Sequence, residues 1–192
     1  TLFLSTVIAE AMAPQVALSQ KSAQDYLNQA RTHYQQQELE QALEDLNQAI
    51  QLNPDFAEAY SNRGAVYLKQ SKFEKALEDL NQAIQFNPDF AEAYYNRGVV
   101  YDKQGKSDQA LQDLNQALQL NPNSAKAYYN RGLVYGKQGK SDQALQDFNQ
   151  AIQLNPDYTK AYYNRGVAYG KQGKLDQALE NYNQAIQLNP NS

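Results

Sequence analysis

Cysteine and tryptophan are absent from this 192-residue chain, and histidine and methionine occur once each. Without cysteine there is no disulfide framework, no thiolate-held zinc and no thiol nucleophile. A lone histidine disfavours a histidine-based metal site or a catalytic triad. Basic residues are in deficit, 17 against 21 acidic ones, for a net charge of -4. That balance argues against a general nucleic-acid binder, which carries a basic stripe. No nucleophile–base pair, phosphate loop or metal cluster stands out. The chain is therefore expected to be non-catalytic, with no cofactor and no metal. What it has in quantity is tyrosine, 15 residues, within a hydrophobic share of 42% that suffices to fill a core.

Self-similarity organises most of the chain. The string AYYNRG recurs with its first tyrosine at Tyr94, Tyr128 and Tyr162, and as AYSNRG at Tyr60, in steps of 34 residues. One more step back reaches Tyr26, so five units fit: 23–56, 57–90, 91–124, 125–158 and 159–192. The third and fourth are identical at 27 of 34 positions, too many for a coincidence of composition. Each unit reads as two helices. In 91–124, Ala93, Tyr94, Gly98 and Tyr101 share a helical face, and Gln104-Gly105-Lys106 interrupts. A second stripe follows at Ala110, Leu111, Leu114, Ala117 and Leu118, and Asn121-Pro122 ends it. Gly105, Gly139 and Gly173 stand where a helix C-terminus wants positive φ. Asp55 with Glu58, and Asp89 with Glu92, have the spacing of capping boxes. The expectation is an all-α array of helical hairpins.

These residues resemble the tetratricopeptide repeat (TPR). In the second unit the family's pattern positions hold Tyr60, Arg63-Gly64, Tyr67, Ala76, Leu80, Ala83 and Pro88. One departure is systematic: Arg63, Arg97, Arg131 and Arg165 stand where the family usually has leucine. The first unit is looser, with Gln29-Ala30 for Arg-Gly and His33 in a tyrosine slot, as a terminal capping unit would be. The resemblance implies a right-handed superhelical solenoid of antiparallel helix pairs.

Gly64, Gly98, Gly132 and Gly166 are read as packing positions that let the helices of a unit approach, with Ala76, Ala110, Ala144 and Ala178 facing them. His33 is expected in or near the core. The arginine row begins in unit two, and an aspartate row (Asp45, Asp79, Asp113, Asp147) ends in unit four, where Asn181 follows. That offset suggests a ladder between units: Asp45–Arg63, Asp79–Arg97, Asp113–Arg131 and Asp147–Arg165. The bland alternative is that each arginine reaches solvent.

In the resembled family the first helices line a concave groove that holds extended peptides. Carried over, the groove rows are Asn62, Asn96, Asn130 and Asn164, then Ser61, Tyr95, Tyr129 and Tyr163, with Ala65, Val99, Leu133 and Val167 deeper. Leu68, Asp102, Gly136 and Gly170 follow, and Lys69, Lys103, Lys137 and Lys171 edge the surface. Asparagine offers donor and acceptor to a peptide backbone, and tyrosine offers contact area with a polar tip. Gly136 and Gly170 suggest a roomier C-terminal half. The lysines, with most acids on second helices, suggest an acidic or carboxylate-bearing partner segment. The family's carboxylate clamp is not reproduced: Leu27 and Arg31 replace its first-unit Lys and Asn, although Lys126 and Lys160 match one lysine slot. A base-reading RNA repeat is disfavoured by the acidic charge and the near-identical groove residues.

Residues 1–22 fall outside the array. Thr1 to Ala13 is apolar, Pro14 breaks it, and Ala17-Leu18-Ser19 resembles a signal-peptidase site. If residues 1–19 are a signal remnant, the protein is exported, periplasmic or lumenal; otherwise it is cytoplasmic. Carrying Glu10, the run is too short for a stable membrane span. The leading function is a protein-interaction scaffold. The alternative is a self-assembling structural protein joined through the last repeat or the apolar N-terminal segment.

Overall fold

The computed structural model describes residues 21–189. Ten helices follow in chain order: α1 (Ala23–Gln35), α2 (Leu39–Leu52), α3 (Ala57–Lys69), α4 (Phe73–Phe86), α5 (Ala91–Lys103), α6 (Ser107–Leu120), α7 (Ala125–Lys137), α8 (Ser141–Leu154), α9 (Thr159–Lys171) and α10 (Leu175–Leu188). They fall two to a unit and stack as a helical solenoid; no strand occurs among the described residues. No described helix is long and apolar enough to cross a membrane. The apolar N-terminal run and the signal-like site at Ser19 lie outside the described residues.

The turn inside each hairpin needs one residue in the left-handed region. Gly105, Gly139 and Gly173 supply it with φ of 74–75°. In the first two units the same turn falls on Gln37 (φ 65°) and Ser71 (φ 58°), where a side chain adds steric cost. Gln37→Gly and Ser71→Gly are each expected to stabilise the protein by about 0.5–1 kcal/mol. Urea unfolding measures this, and a fall in midpoint for both would contradict it.

Helix pairs close through small residues. Ala42, Ala76, Ala110 and Ala144 are fully buried. A Cβ added to Gly132 would lie 2.8 Å from the Phe148 ring, and one on Gly64 2.8 Å from Leu80 Cγ, so these positions do admit close approach. Between units, each odd helix touches the next odd helix, whereas no even helix touches the next even one among the described residues. Odd helices therefore form the inner, crowded row and even helices the splayed outer row. Side chains on the odd helices line the concave face.

The capping boxes expected at Asp55 and Asp89 do not form. α3 and α5 begin one residue later than such a box requires, after Phe56 and Phe90, which make no side-chain cap. The preceding prolines sit in turns closed by Phe56 N–H to Asn53 O (3.2 Å) and Phe90 N–H to Asn87 O (3.1 Å), which place the aspartates within the turn. A reciprocal box occurs instead at α1, between Ser22 and Asp25. At α7, Ser124 caps the helix by accepting from Ala127 N–H, without a reciprocal partner. The Ser22 bonds hold the Asp25 carboxyl below its usual range.

The concave face as a candidate binding surface

An arginine seam fixes the orientation of the inner helices, in a register different from the sequence expectation. Arg63, Arg97 and Arg131 each hold an aspartate of their own unit bidentately: Asp79, Asp113 and Asp147, at 2.7–2.9 Å. The proposed partners one unit back are not engaged. The geometric reason is that Arg and Asp face each other across the helix hairpin, so the guanidinium meets the carboxylate sixteen residues ahead. The link between units comes from the remaining nitrogen, Nη1, which donates at 2.7 Å to Asn47, Asn81 and Asn115 of the preceding unit. Sequence reasoning missed that asparagine row, although its 34-residue recurrence was visible.

The ends of the two rows are completed locally. Asp45, with Gln29 in the arginine slot of its unit, takes His33 Nδ1 at 2.7 Å, and Arg165 takes the neutral Asn181 at 2.7 Å. His33 is thus half-buried at the seam, in keeping with its expected place. The aspartate bonds push the guanidinium pKa values of Arg63, Arg97 and Arg131 further up. Each of these arginines also lies 5.4–5.5 Å from the centre of the tyrosine ring three residues earlier.

On the concave face, the asparagine row divides. Asn62, Asn130 and Asn164 donate their amides to the carbonyl four residues back, at 2.7–2.9 Å. Asn130 and Asn164 also donate to Tyr95 Oη and Tyr129 Oη of the preceding unit, both at 3.1 Å. Tyr95 and Tyr129 therefore stitch neighbouring units together, and burial pushes both hydroxyls up in pKa. Tyr163 is different, standing 55% exposed. Asn96 differs again: it is buried, yet its amide makes no hydrogen bond among the described residues. The tyrosine that would meet it is replaced by Ser61, whose hydroxyl is buried without a partner.

The lysine row is also uneven. Lys137 reaches back one unit to both oxygens of Asp102, at 2.7 Å, so much of its charge is neutralised. Lys103 and Lys171 carry no ion-pair partner, and neither do Lys126 and Lys160 on the same inner helices. Of the acids in this row, Glu58 is bound to Arg31 at 2.8 Å and Glu92 is exposed and unpaired. Asp79, Asp113 and Asp147 are buried in the arginine seam, while Glu78, Asp108 and Asp142 stand exposed on even helices. The inner face is accordingly more positive than the whole molecule.

Room is not confined to one half of the groove: a pocket of about 750 Å³ lies beside Lys160, Tyr163 and Asn164 at the C-terminal end, although not at Gly136. A pocket of about 790 Å³ opens between α1, α3 and α5, reaching the Leu46 core, whereas the pocket beside Gly136 measures about 240 Å³. Ring size accounts for the small space beside Gly136. In units four and five, tyrosines pack on a second ring, Tyr129 on Phe148 (6.0 Å) and Tyr163 on Tyr182 (5.6 Å). The equivalent residues of the second unit are the small Ser61 and the aliphatic Leu80. No cluster of acidic residues and histidine suited to a metal occurs among the described residues.

Comparison with known proteins gives a consistent picture. Residues 30–71 and 67–105 match a TPR-repeat pattern, and 91–124, 125–158 and 159–192 match the tetratricopeptide repeat. A thermophilic TPR protein of Thermus thermophilus is 26% identical, with a TM-score of 0.75 over 89% of this chain and 93% of its own. YrrB, described as a TPR protein with an unusual peptide-binding site, is 29% identical at a TM-score of 0.67, covering 88% of each chain. A MamA structure is 25% identical at 0.70, over 88% of this chain and 92% of that one. No curated protein matches the sequence.

Proposed function

Because the chain belongs to the tetratricopeptide-repeat family, we propose that it is a non-catalytic scaffold whose concave face holds an extended, acidic or carboxylate-bearing segment of a partner protein. The observation that carries this reading is electrostatic. Lys103, Lys126, Lys160 and Lys171 stand on inner helices without counter-charges, while most acids are sealed in the arginine seam or turned to the outer row. A negative segment laid along the groove meets the lysines at low desolvation cost, and apolar ground between them supplies contact area. YrrB, a relative by fold and sequence, is described as peptide-binding.

Charge reversal tests the proposal. The double variant Lys126→Glu, Lys160→Glu should keep the fold, since neither lysine makes an ion pair. Immobilised beside the parent protein, it is expected to lose at least tenfold in affinity for captured partners, and raised salt should weaken the parent in the same way. Equal retention by both would place binding on the outer helices or the ends.

A second reading is self-assembly, and α10 favours it. Leu175, Leu179 and Ile186 are 67%, 59% and 58% exposed, whereas Leu145, the equivalent of Leu179 one unit earlier, is buried. Mass that rises with protein concentration in sedimentation would support this reading, and a constant monomer mass would remove it.

A further inference from the structure

One slot of the repeat changes character along the chain. Just before α3, α5, α7 and α9 stand Phe56, Phe90, Ser124 and Tyr158, 34 residues apart. Three of the four are rings, and each is packed. Phe56 lies against the core of units one and two, Phe90 against that of units two and three, and Tyr158 sits 4.9 Å from the centre of the Tyr129 ring. Ser124 supplies no ring; its hydroxyl oxygen accepts from Ala127 N–H at 3.3 Å. The joint between units three and four is correspondingly hollow. A cavity of about 240 Å³ opens there, with Ser124, Tyr95, Ala91 and Ala117 in its wall. Tyr95 holds in unit three the place of Tyr129 in unit four, so the cavity borders the ring that Tyr158 covers one unit later. Leu114 stands in the slot of Phe148, and Tyr95 contacts no other ring among the described residues. Its hydroxyl accepts from Asn130 at 3.1 Å, which fixes the ring in place. The exposed Glu92 and Lys126 border both this cavity and the 790 Å³ pocket, so the hollow opens beside the groove.

We infer that this cavity is a binding site for an aromatic side chain of the partner, which takes the place left open by Ser124 and packs against Tyr95. The repeat itself names the occupant: wherever the slot is filled from within, a phenyl or phenol group fills it. Cavities of about 150 Å³ hold a benzene-sized ring, so the space suffices. Tilted or offset contact between two rings adds to the gain from removing both apolar surfaces from water. The rim sets what stands beside the ring. Lys126 has no ion-pair partner and meets an acidic neighbour of the aromatic residue, while Glu92 accepts from a phenol O–H or an indole N–H. The inference rests on the reading of the inner face as the partner surface. It adds a side-chain specificity located at one joint, between units three and four.

Nuclear magnetic resonance on the full ¹⁵N-labelled chain tests this in two steps. N-acetyltyrosinamide is expected to shift the backbone amides of Glu92, Ser124 and Lys126, and N-acetylleucinamide at the same concentration to leave them in place. The acetylated peptide Asp-Gly-Tyr-Asp-Gly should then bind at least tenfold more tightly than its counterparts with Leu or Gly for Tyr. Ser124→Phe fills the cavity as Phe90 fills its own slot. It should keep or raise the thermal midpoint while weakening the Tyr peptide at least tenfold, a combination that mere damage to the fold does not produce. Ala91→Leu, which narrows the cavity from another wall, should weaken the peptide as well. Ser124→Ala removes the helix cap but leaves the cavity open, and should change affinity less than threefold. Equal binding of the Tyr and Gly peptides, with shifts elsewhere on the inner helices, would overturn the aromatic site and leave the acidic-segment reading intact. Shifts at Ser124 with N-acetyltyrosinamide but no binding of any acidic peptide would uphold the cavity and overturn that reading. No shift at Glu92, Ser124 or Lys126 with either tyrosine probe would overturn the inference. Concentration-dependent shifts at Ser124 without a probe would place a second copy in the cavity and also overturn it.

Discussion

Arg97→Ala is expected to cost about 3 kcal/mol of stability, and Arg165→Ala only about 1 kcal/mol, although the two arginines occupy the same place in successive units. The difference lies in what each leaves behind. Asp113 is 6% exposed and receives two bonds from Arg97. Removing the guanidinium strands a buried carboxylate, a loss of about 3–5 kcal/mol in comparable sites. Arg97 keeps 19% exposure, so water can enter the gap and the lower figure applies. Its bond to Asn81 goes as well, loosening the joint with the unit before. Arg165 instead faces Asn181, which is uncharged and whose amide also donates to the Gln177 carbonyl. Urea unfolding of both variants makes the comparison. Arg97→Lys should recover less than half the loss, because an ammonium cannot span both carboxylate oxygens and Asn81 in one plane. Equal losses for Arg97→Ala and Arg165→Ala would mean that the buried charge is not the cause.

Phe148→Ala should be larger still, about 4 kcal/mol. Phe148 is 2% exposed, lies against the Gly132 backbone, and supports the Tyr129 ring at 6.0 Å. Its core neighbours Ala144, Leu145 and Ala168 belong to units four and five, so the cavity opens at their junction. Arrays of this kind are held by nearest-neighbour contacts, and the loss should be felt locally first. Hydrogen exchange is expected to show faster exchange in α7 to α10 while α1 to α4 keep their protection. Uniform acceleration along the chain would instead show that the five units open as one block. Phe148→Leu, the aliphatic size found at Leu80 and Leu114, should cost only about 1 kcal/mol.

The site was less legible than the fold. Asn96 looked no different from Asn130, because a row of identical residues hides which members are already bonded. What distinguishes them sits 35 residues earlier, where Ser61 stands in a tyrosine slot, and that substitution was readable. Its consequence, an unpaired amide over an open pocket, required knowing that Tyr95 and Tyr129 spend their hydroxyls on the next unit. The arginine–aspartate pairing was likewise visible as chemistry but misassigned in register. Rows offset at both ends suggested a bridge between units, whereas His33 and Asn181 complete the end pairs within their own units.

Local regularities carry across without coordinates: the 34-residue period, the two helical stripes in each unit, the glycines at the turns and the small residues where helices approach. Each depends on backbone preference and on residues a few positions apart, so one chain suffices to read it. Pairing across the hairpin, the depth of the groove and the commitment of each polar group are a different matter. They depend on which side chains meet after two helices and two units have packed, and on a few ångströms of reach. Ring volume in unit four narrowed the space beside Gly136, and a missing ring at Ser61 left the Asn96 amide without a protein partner.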